Sequence, residues 1–338
     1  MKNSQGNNSV GILLVNLGTP EAPTAKAVRP YLREFLSDPR VVQVPKVIWW
    51  FILNLLILRT RPKQSALGYS QVWTDEGSPL LVIGKKQLEA LRQKFQRPIT
   101  DQAVHLELGM RYGNPSIKSG LEALRSKGCR RILVFPLYPQ YAASSNGTVF
   151  DAVADVFKQW WWVPETRTIG SYCDDAAYID ALAASVREHW EQHGRADRLL
   201  MSFHGLPQRV VKLGDPYRDQ CETTANLLVE ELGLKEGEWI MSFQSRFGAE
   251  EWIKPYTIET LDAWGKEGVG KVDVICPGFS ADCLETLEEI AVENRKAFEE
   301  AGGGEMRYIP ALNDRADHIE VLADLIRRHT CSWLDFND

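Results

Sequence analysis

The stretch Val272-Asp-Val-Ile-Cys-Pro-Gly-Phe-Ser-Ala-Asp-Cys-Leu-Glu-Thr-Leu-Glu-Glu-Ile290 decides how the chain is read. Residues 272–276 have the length and apolar character of a buried strand. Pro277-Gly278 turns the chain, and a helical pattern with acid in its first turns follows. At about 100° per residue, Asp282, Glu285 and Glu289 fall within an arc of about 60°, with Leu284, Leu287 and Ala291 opposite. Three carboxylates would then line one helix face at the carboxyl end of a strand, where open α/β sheets bind ligands. A solvated acidic face, favoured by the helix dipole, is the plainer alternative for this segment alone.

The same alternation runs through the chain. Strand-length apolar runs at 10–15, 104–108, 131–135, 198–203, 239–243 and 271–276 are separated by helical patterns at 25–36, 83–95, 116–127, 177–193, 220–232, 257–266, 284–301 and 318–329. Strands separated by helices imply parallel βαβ units and an α/β fold. A weak repeat is visible: Gly11-Ile-Leu-Leu-Val-Asn-Leu-Gly-Thr-Pro20 parallels Leu199-Leu-Met-Ser-Phe-His-Gly-Leu-Pro207, and Phe135-Pro136 parallels Cys276-Pro277. Two similar α/β halves facing one cleft are therefore expected. The segment 160–169 reads as the last strand of the first half and the Gly302-Gly-Gly304 run as the end of the acidic helix. The final helix packs back on the first half.

At 338 residues two domains are expected. A formal charge of −6 argues against a nucleic-acid partner. Basic residues cluster once: between Asp38 and Asp75 there is no acid, while Arg40, Lys46, Arg59, Arg61 and Lys63 are present. Within that region residues 47–58 are almost wholly apolar, too short to cross a bilayer as a helix, and suit a greasy lip over a pocket or an interfacial patch. None of the six cysteines has CxxC spacing, so no zinc knuckle or thioredoxin motif is indicated. Residues 1–9 carry no export or transit pattern, which leads us to expect a cytoplasmic protein.

His204 ends a strand and precedes Gly-Leu-Pro, so its ring is expected at a carboxyl strand end, where it could move protons or hold a metal. The other histidines are expected on polar helix faces or ends, or, for His105, in a structural place. The sequence has no GxSxG elbow, Walker lysine loop, HExxH or GxGxxG, which removes the common hydrolase, NTPase and dehydrogenase readings. One imidazole, a carboxylate ladder, aromatics (Tyr69, Tyr112, Tyr138, Tyr141, Phe279, Trp252) and a greasy basic lip remain. They suit a large flat apolar ligand with acidic arms, together with a cation or protons to move. A porphyrin fits.

The residues that carry this pattern resemble the ferrochelatases, which insert ferrous iron into protoporphyrin IX in the last step of haem synthesis. The likeness runs in order through Val10 to Pro20, Gly77-Ser-Pro79, Arg111-Tyr112, Tyr138-Pro-Gln-Tyr141, Ser202-Phe-His-Gly-Leu-Pro207, Gly214-Asp-Pro-Tyr217, Phe243-Gln-Ser-Arg246 and Phe279 to Glu289. It implies two Rossmann-like domains, each a parallel four-stranded sheet flanked by helices. We set these at 1–175 plus 313–338, carrying a lip at about 41–63, and at 176–312. The resemblance makes His204 and Glu285 the essential pair and metal ligands, with Glu289 and Asp282 continuing an acidic path. It assigns Tyr69, Ser78, Arg111 and Tyr112 to the porphyrin site, with Tyr138 and Phe279 beside them and Trp252 near the rim. Leu17 replaces the Met or Tyr of some relatives, and Cys283 stands where some have a histidine. Some relatives carry a [2Fe–2S] cluster; here the corresponding loop reads Ala142-Ala143-Ser144 and the tail offers only Cys331, so no cluster and no resident cofactor are expected. Substrates would be Fe2+ and protoporphyrin IX, the product haem, with peripheral membrane contact through the lip. Iron insertion into coproporphyrin III, a sirohydrochlorin chelatase, and a non-catalytic haem carrier are the competing readings.

Overall fold

A computed structural model describes residues 9–96, 103–248 and 250–334. The reading of the N-terminal segment falls on residues 1–8, outside the described residues. Among the described residues eight strands build two sheets: β1 (Val10–Thr19), β2 (Val104–Gly113), β3 (Arg131–Pro136), β4 (Glu165–Thr168), β5 (Arg198–His204), β6 (Trp239–Gln244), β7 (Lys271–Ile275) and β8 (Glu305–Ile309). All pairings are parallel, in the orders β2-β1-β3-β4 and β6-β5-β7-β8. The two orders are the same when each sheet is counted from its first strand, so the sequence repeat is a repeat of topology.

The chain divides into two compact units, one of Met1–Leu137, Ala143–Gly170 and Asp314–Asp338 and the other of Tyr138–Ala142 and Ser171–Asn313. Residues 138–142, 171–175 and 313, assigned to the first domain from sequence, go with the second. In the first unit Val10 and Ile12 to Val15 are wholly buried, because helices cover both faces of a parallel sheet and leave no polar side. Gly18 ends this run at φ 115°, and a Cβ there would sit 1.8 Å from the Tyr112 carbonyl oxygen, so only glycine lets β1 approach β2. The returning helix Ala316–Thr330 belongs to this unit. Arg167 donates to the His329 carbonyl at 2.7 Å, and the Trp333 indole donates to Glu165 at 2.7 Å. His318, expected on a polar face, is fully buried.

The second unit packs Leu200, Leu261, Val272, Val274, Ile290, Phe298 and Met306 into one core. Strand β8 was not anticipated; its signal, the short alternation at Met306-Arg-Tyr-Ile309, is weak beside the glycine run that precedes it. The helix expected at 284–301 is π-helical from Glu285 to Asn294 and α-helical only at Arg295–Glu300. Asn294 Nδ2 donates to the Glu289 carbonyl at 2.7 Å and Gln244 Nε2 to the Glu285 carbonyl at 2.9 Å. Side chains reaching backbone carbonyls in this way favour the wider i→i+5 turn.

The segment expected as a lip is the helix Lys46–Ile52 continuing through π turns at Leu53–Ile57 into Leu58–Val72. Val47, Ile48, Trp50, Phe51, Leu55 and Leu56 are exposed, and Leu53 and Leu58 anchor the segment. Among the described residues no helix is long and apolar enough to cross a membrane.

Candidate active site

In the second unit His204 closes β5 and sits at the carboxyl end of its sheet. Its Nδ1 lies 2.7 Å from the Gly205 carbonyl oxygen. A carbonyl only accepts, so Nδ1 is the donor in this contact, which leaves Nε2 as the ring nitrogen free for other partners. Gly205 is packed from both sides: a Cβ there would come within 2.8 Å of the Gln244 carbonyl and 3.0 Å of the Trp252 ring. Trp252, expected at a rim, is 4% exposed and braces the loop behind His204, with Phe247 on its other side at 4.9 Å between ring centroids.

Glu289 lies where β6 runs out. The Ser245 backbone N–H donates to its Oε1 at 2.7 Å and the Ser245 hydroxyl to its Oε2. Ser245 holds φ at 66°, a region that side chains other than glycine seldom occupy, so the turn aims both donors at one carboxylate. Burial pushes the Glu289 pKa above the usual carboxylate range, while the Ser245 donors and nearby His204 pull it back and Glu285 adds to the rise. His204, Glu285 and Glu289 are thus close enough for each charge to be felt at Glu289. The Cys283 thiol, placed where some relatives have histidine, donates to Glu285; burial first, then Glu285, raises its pKa far above the usual thiol value.

Asp282 stands apart from the face predicted for it. It precedes the helix rather than lying on it and is 5% exposed. Its Oδ1 accepts from the Tyr308 hydroxyl at 2.6 Å and the Thr286 hydroxyl at 2.9 Å, and its Oδ2 accepts from Asn313 Nδ2 at 2.7 Å. Its own N–H returns to Asn313 Oδ1 at 2.8 Å. Both oxygens accept from scaffold donors, which makes Asp282 a pin between the helix start and β8. The three-carboxylate face therefore reduces to Glu285 and Glu289, four apart on a π-helical turn.

A buried polar chain supports that turn from below. Ser242, Thr257 and Ser202 are linked through their hydroxyls, and Ser202 donates to Gln244 Oε1 at 2.7 Å. That bond orients the Gln244 amide so that its nitrogen faces the Glu285 carbonyl and, at 3.5 Å, Glu289 Oε2. Sequence reasoning gave Gln244 and Ser245 no role. The available signal was a polar pair directly at the carboxyl end of a buried strand. Phe279 packs partly buried on the core of this unit, and Tyr138 is half-buried in the same unit.

The remaining predicted residues lie in the first unit. Arg111 donates to Asp38 and, through Nε, to the Thr148 carbonyl at 2.9 Å, and its guanidinium stacks 4.4 Å from the Tyr112 ring centroid. Tyr112 has no exposed surface; its hydroxyl donates to Asp38 Oδ2 at 3.0 Å and its ring meets Phe35 edge-on. Burial drives its pKa well above the usual phenol value. Tyr69 packs edge-on against Tyr31 and Trp73, and Ser78 shares a 2.7 Å hydrogen bond with Thr19. Tyr69, Ser78 and Tyr112 are buried, while Leu17 and Arg111 are half-buried.

A family model for ferrochelatase matches residues 9–330. The ferrochelatase of Thioalkalivibrio sulfidiphilus is 58% identical over 328 residues, 97% of this chain and 89% of that protein. That of Azoarcus sp. is 56% identical over 324 residues, 96% of this chain and 88% of that protein. Among solved structures, SirB from Bacillus subtilis with Fe3+ superposes with a TM-score of 0.58 at 14% identity, covering 97% of this chain and all of that one. The sirohydrochlorin chelatase of Bacillus subtilis subspecies spizizenii in complex with cobalt gives 0.54 at 13% identity, with 97% of this chain and all of that one covered. At such identity the likeness is one of fold. With its repeated four-stranded topology, its histidine and glutamates at strand ends, and more than half its residues shared with named members, the chain belongs to the ferrochelatase family.

Proposed function

We propose that this protein inserts Fe2+ into protoporphyrin IX, releasing two protons and forming protohaem, as the closing step of haem synthesis. The observation that carries the reading is His204: its Nδ1 is committed to the Gly205 carbonyl, its Nε2 is left to accept a proton or ligate the incoming metal, and Glu289 lies within reach of its charge. Two pyrrole protons must leave and a hydrated cation must shed water. An imidazole and a glutamate offer two proton acceptors, and Glu285 a further carboxylate nearby. Among the described residues no three such groups are disposed to hold a metal ion together, so iron would be held in passing by one or two of them. Asp282 serves this chemistry by holding the start of the glutamate-bearing helix.

Porphyrin binding is assigned to Leu17, Tyr69, Ser78, Arg111 and Tyr112, with the Arg111 guanidinium stacked on the Tyr112 ring, and to Tyr138 and Phe279 as aromatic surface. Trp252 steadies His204. The lip supports a preference for an apolar porphyrin: seven of its large apolar side chains are exposed, and coproporphyrin's additional carboxylates gain nothing from such apolar surface. The same lip suits peripheral contact with a membrane. The loop after Tyr141 offers no cysteine, so this reading does not call on an iron–sulfur cluster.

The test is metal insertion by the purified protein, followed by the fluorescence of zinc protoporphyrin and repeated with coproporphyrin III. Turnover on protoporphyrin that disappears in His204→Ala, with porphyrin binding retained, supports the assignment. Near-normal turnover in His204→Ala would overturn it, and porphyrin binding without any turnover by the wild type would leave a carrier.

A further inference from the structure

The first unit carries a second exposed apolar feature, remote from the lip. Between the helix Thr148–Phe157 and β4, the loop Trp160-Trp-Trp-Val163 leaves Trp161 wholly exposed (104%) and Trp162 and Val163 about half exposed (50% and 51%). The guanidinium of Arg125 stacks over Trp160 at 4.8 Å and that of Arg130 over Trp162 at 5.6 Å. Neighbouring acids are already paired: Asp155 with Lys158, Glu165 with Arg131, Glu122 with Lys118. Arg125 and Arg130 have no ion-pair partner among the described residues, so the loop presents indoles backed by uncompensated positive charge.

Its position separates it from the lip. Arg130 and the tryptophans immediately precede β3 and β4, and Glu165 N–H donates to the Arg130 carbonyl at 3.0 Å, so the loop stands at the amino edge of its sheet. The lip follows Asp38, which is bound to Arg111 and Tyr112 at the carboxyl end of β2.

We propose that the loop at 160–163 is a contact for an anionic lipid surface, distinct from the lip and independent of metal insertion. Indole rings favour the bilayer–water interface, and guanidinium groups beside them suit lipid phosphates. Trp161 projects without packing on its own unit. A bilayer receives such a side chain without a shaped socket, which a rigid protein partner would have to supply. A second copy of the chain docked on the same loop would bring like charges together, which disfavours self-association through it.

The experiment is co-sedimentation with vesicles of phosphatidylcholine with and without phosphatidylglycerol. It is run on the full chain carrying Trp50→Ser and Phe51→Ser to remove the lip's contribution. This background is expected to bind the anionic vesicles, and to lose at least about tenfold in bound fraction on adding Trp161→Ser and Trp162→Ser. Arg125→Gln with Arg130→Gln should weaken binding to anionic vesicles and reduce its salt dependence. Trp161→Ser with Trp162→Ser in the otherwise wild-type chain should leave zinc insertion into soluble porphyrin unchanged. Failure of the lip-altered protein to bind anionic vesicles, equal binding with and without the tryptophans, or a tryptophan-dependent dimer in sedimentation velocity would each overturn the proposal.

Discussion

Ser245 grips Glu289 with two donors, its backbone N–H at 2.7 Å and its hydroxyl, from a backbone held at φ 66°. The grip opposes the burial that raises the Glu289 pKa, so the strained turn keeps a half-buried carboxylate able to ionise and to take up a proton. Ser245→Ala removes the hydroxyl and keeps the N–H. The Glu289 pKa then climbs further, because a donor to the charged form has been lost. If Glu289 must be ionised to accept a pyrrole proton, the rising limb of the pH–rate profile moves to higher pH, and at neutral pH the rate falls by about tenfold. An unmoved limb in Ser245→Ala would remove Glu289 from proton transfer.

Gly205 is the tightest point behind His204. Gly205→Ala puts a methyl 2.8 Å from the Gln244 carbonyl and 3.0 Å from the Trp252 ring. Overpacking of this kind costs about 1–3 kcal/mol. A shift of the Gly205 backbone would also carry its own carbonyl away from His204 Nδ1, so activity should fall by more than the change in folded population accounts for. Adding Trp252→Phe, which shortens the ring in the way, should restore part of the melting temperature. A Gly205→Ala protein with unchanged stability and turnover would show that the loop has room to spare.

Asp282→Asn distinguishes an anchor from a relay. The carboxylate receives hydrogen from Tyr308, Thr286 and Asn313, and an amide would turn an NH2 towards at least one of these donors. Losing charge-assisted bonds in a buried site costs about 2–3 kcal/mol. The expected result is a lower urea midpoint, with the loss of activity following the loss of folded protein. Unchanged stability with a slow enzyme would return Asp282 to the acidic path.

Much of this was legible in the chain because parallel strands covered on both faces must be apolar throughout. Residues 10–15, 131–135 and 198–203 could hardly be anything else, and the helix at Thr257–Lys266 begins and ends where its periodicity does. His204 and Glu285 follow from strand ends and from resemblance. Two of the assignments that changed, Asp282 and the regular α-helix after it, depend on Asn294, Gln244, Asn313 and Tyr308. These partners lie up to about forty positions away, and a 100° periodicity cannot contain them. Tyr69, Ser78 and Tyr112 look like ligand contacts as residue types. Their burial follows from neighbours such as Asp38 and Phe35, which carry no local signature.

The π turn has a consequence for pH. Glu288 and Glu293, five residues apart, share a side-chain hydrogen bond, and two carboxyl groups can do so only while one holds a proton. Burial, then Glu293, Glu289 and Glu285, raise the Glu288 pKa from 4.5 to about 7. In that interval the folded chain binds more protons than the unfolded one. The stabilisation is therefore complete below 4.5 and disappears as pH rises through about 7. Glu288→Gln keeps a donor for Glu293 and removes the titration. The variant should lose less melting temperature than wild type between about pH 5 and pH 8, and should match or exceed it at the upper end. The difference should be modest, because solvent reaches much of the side chain and screens it. Parallel stability curves for the two proteins across that range would mean that Glu288 and Glu293 do not share a proton.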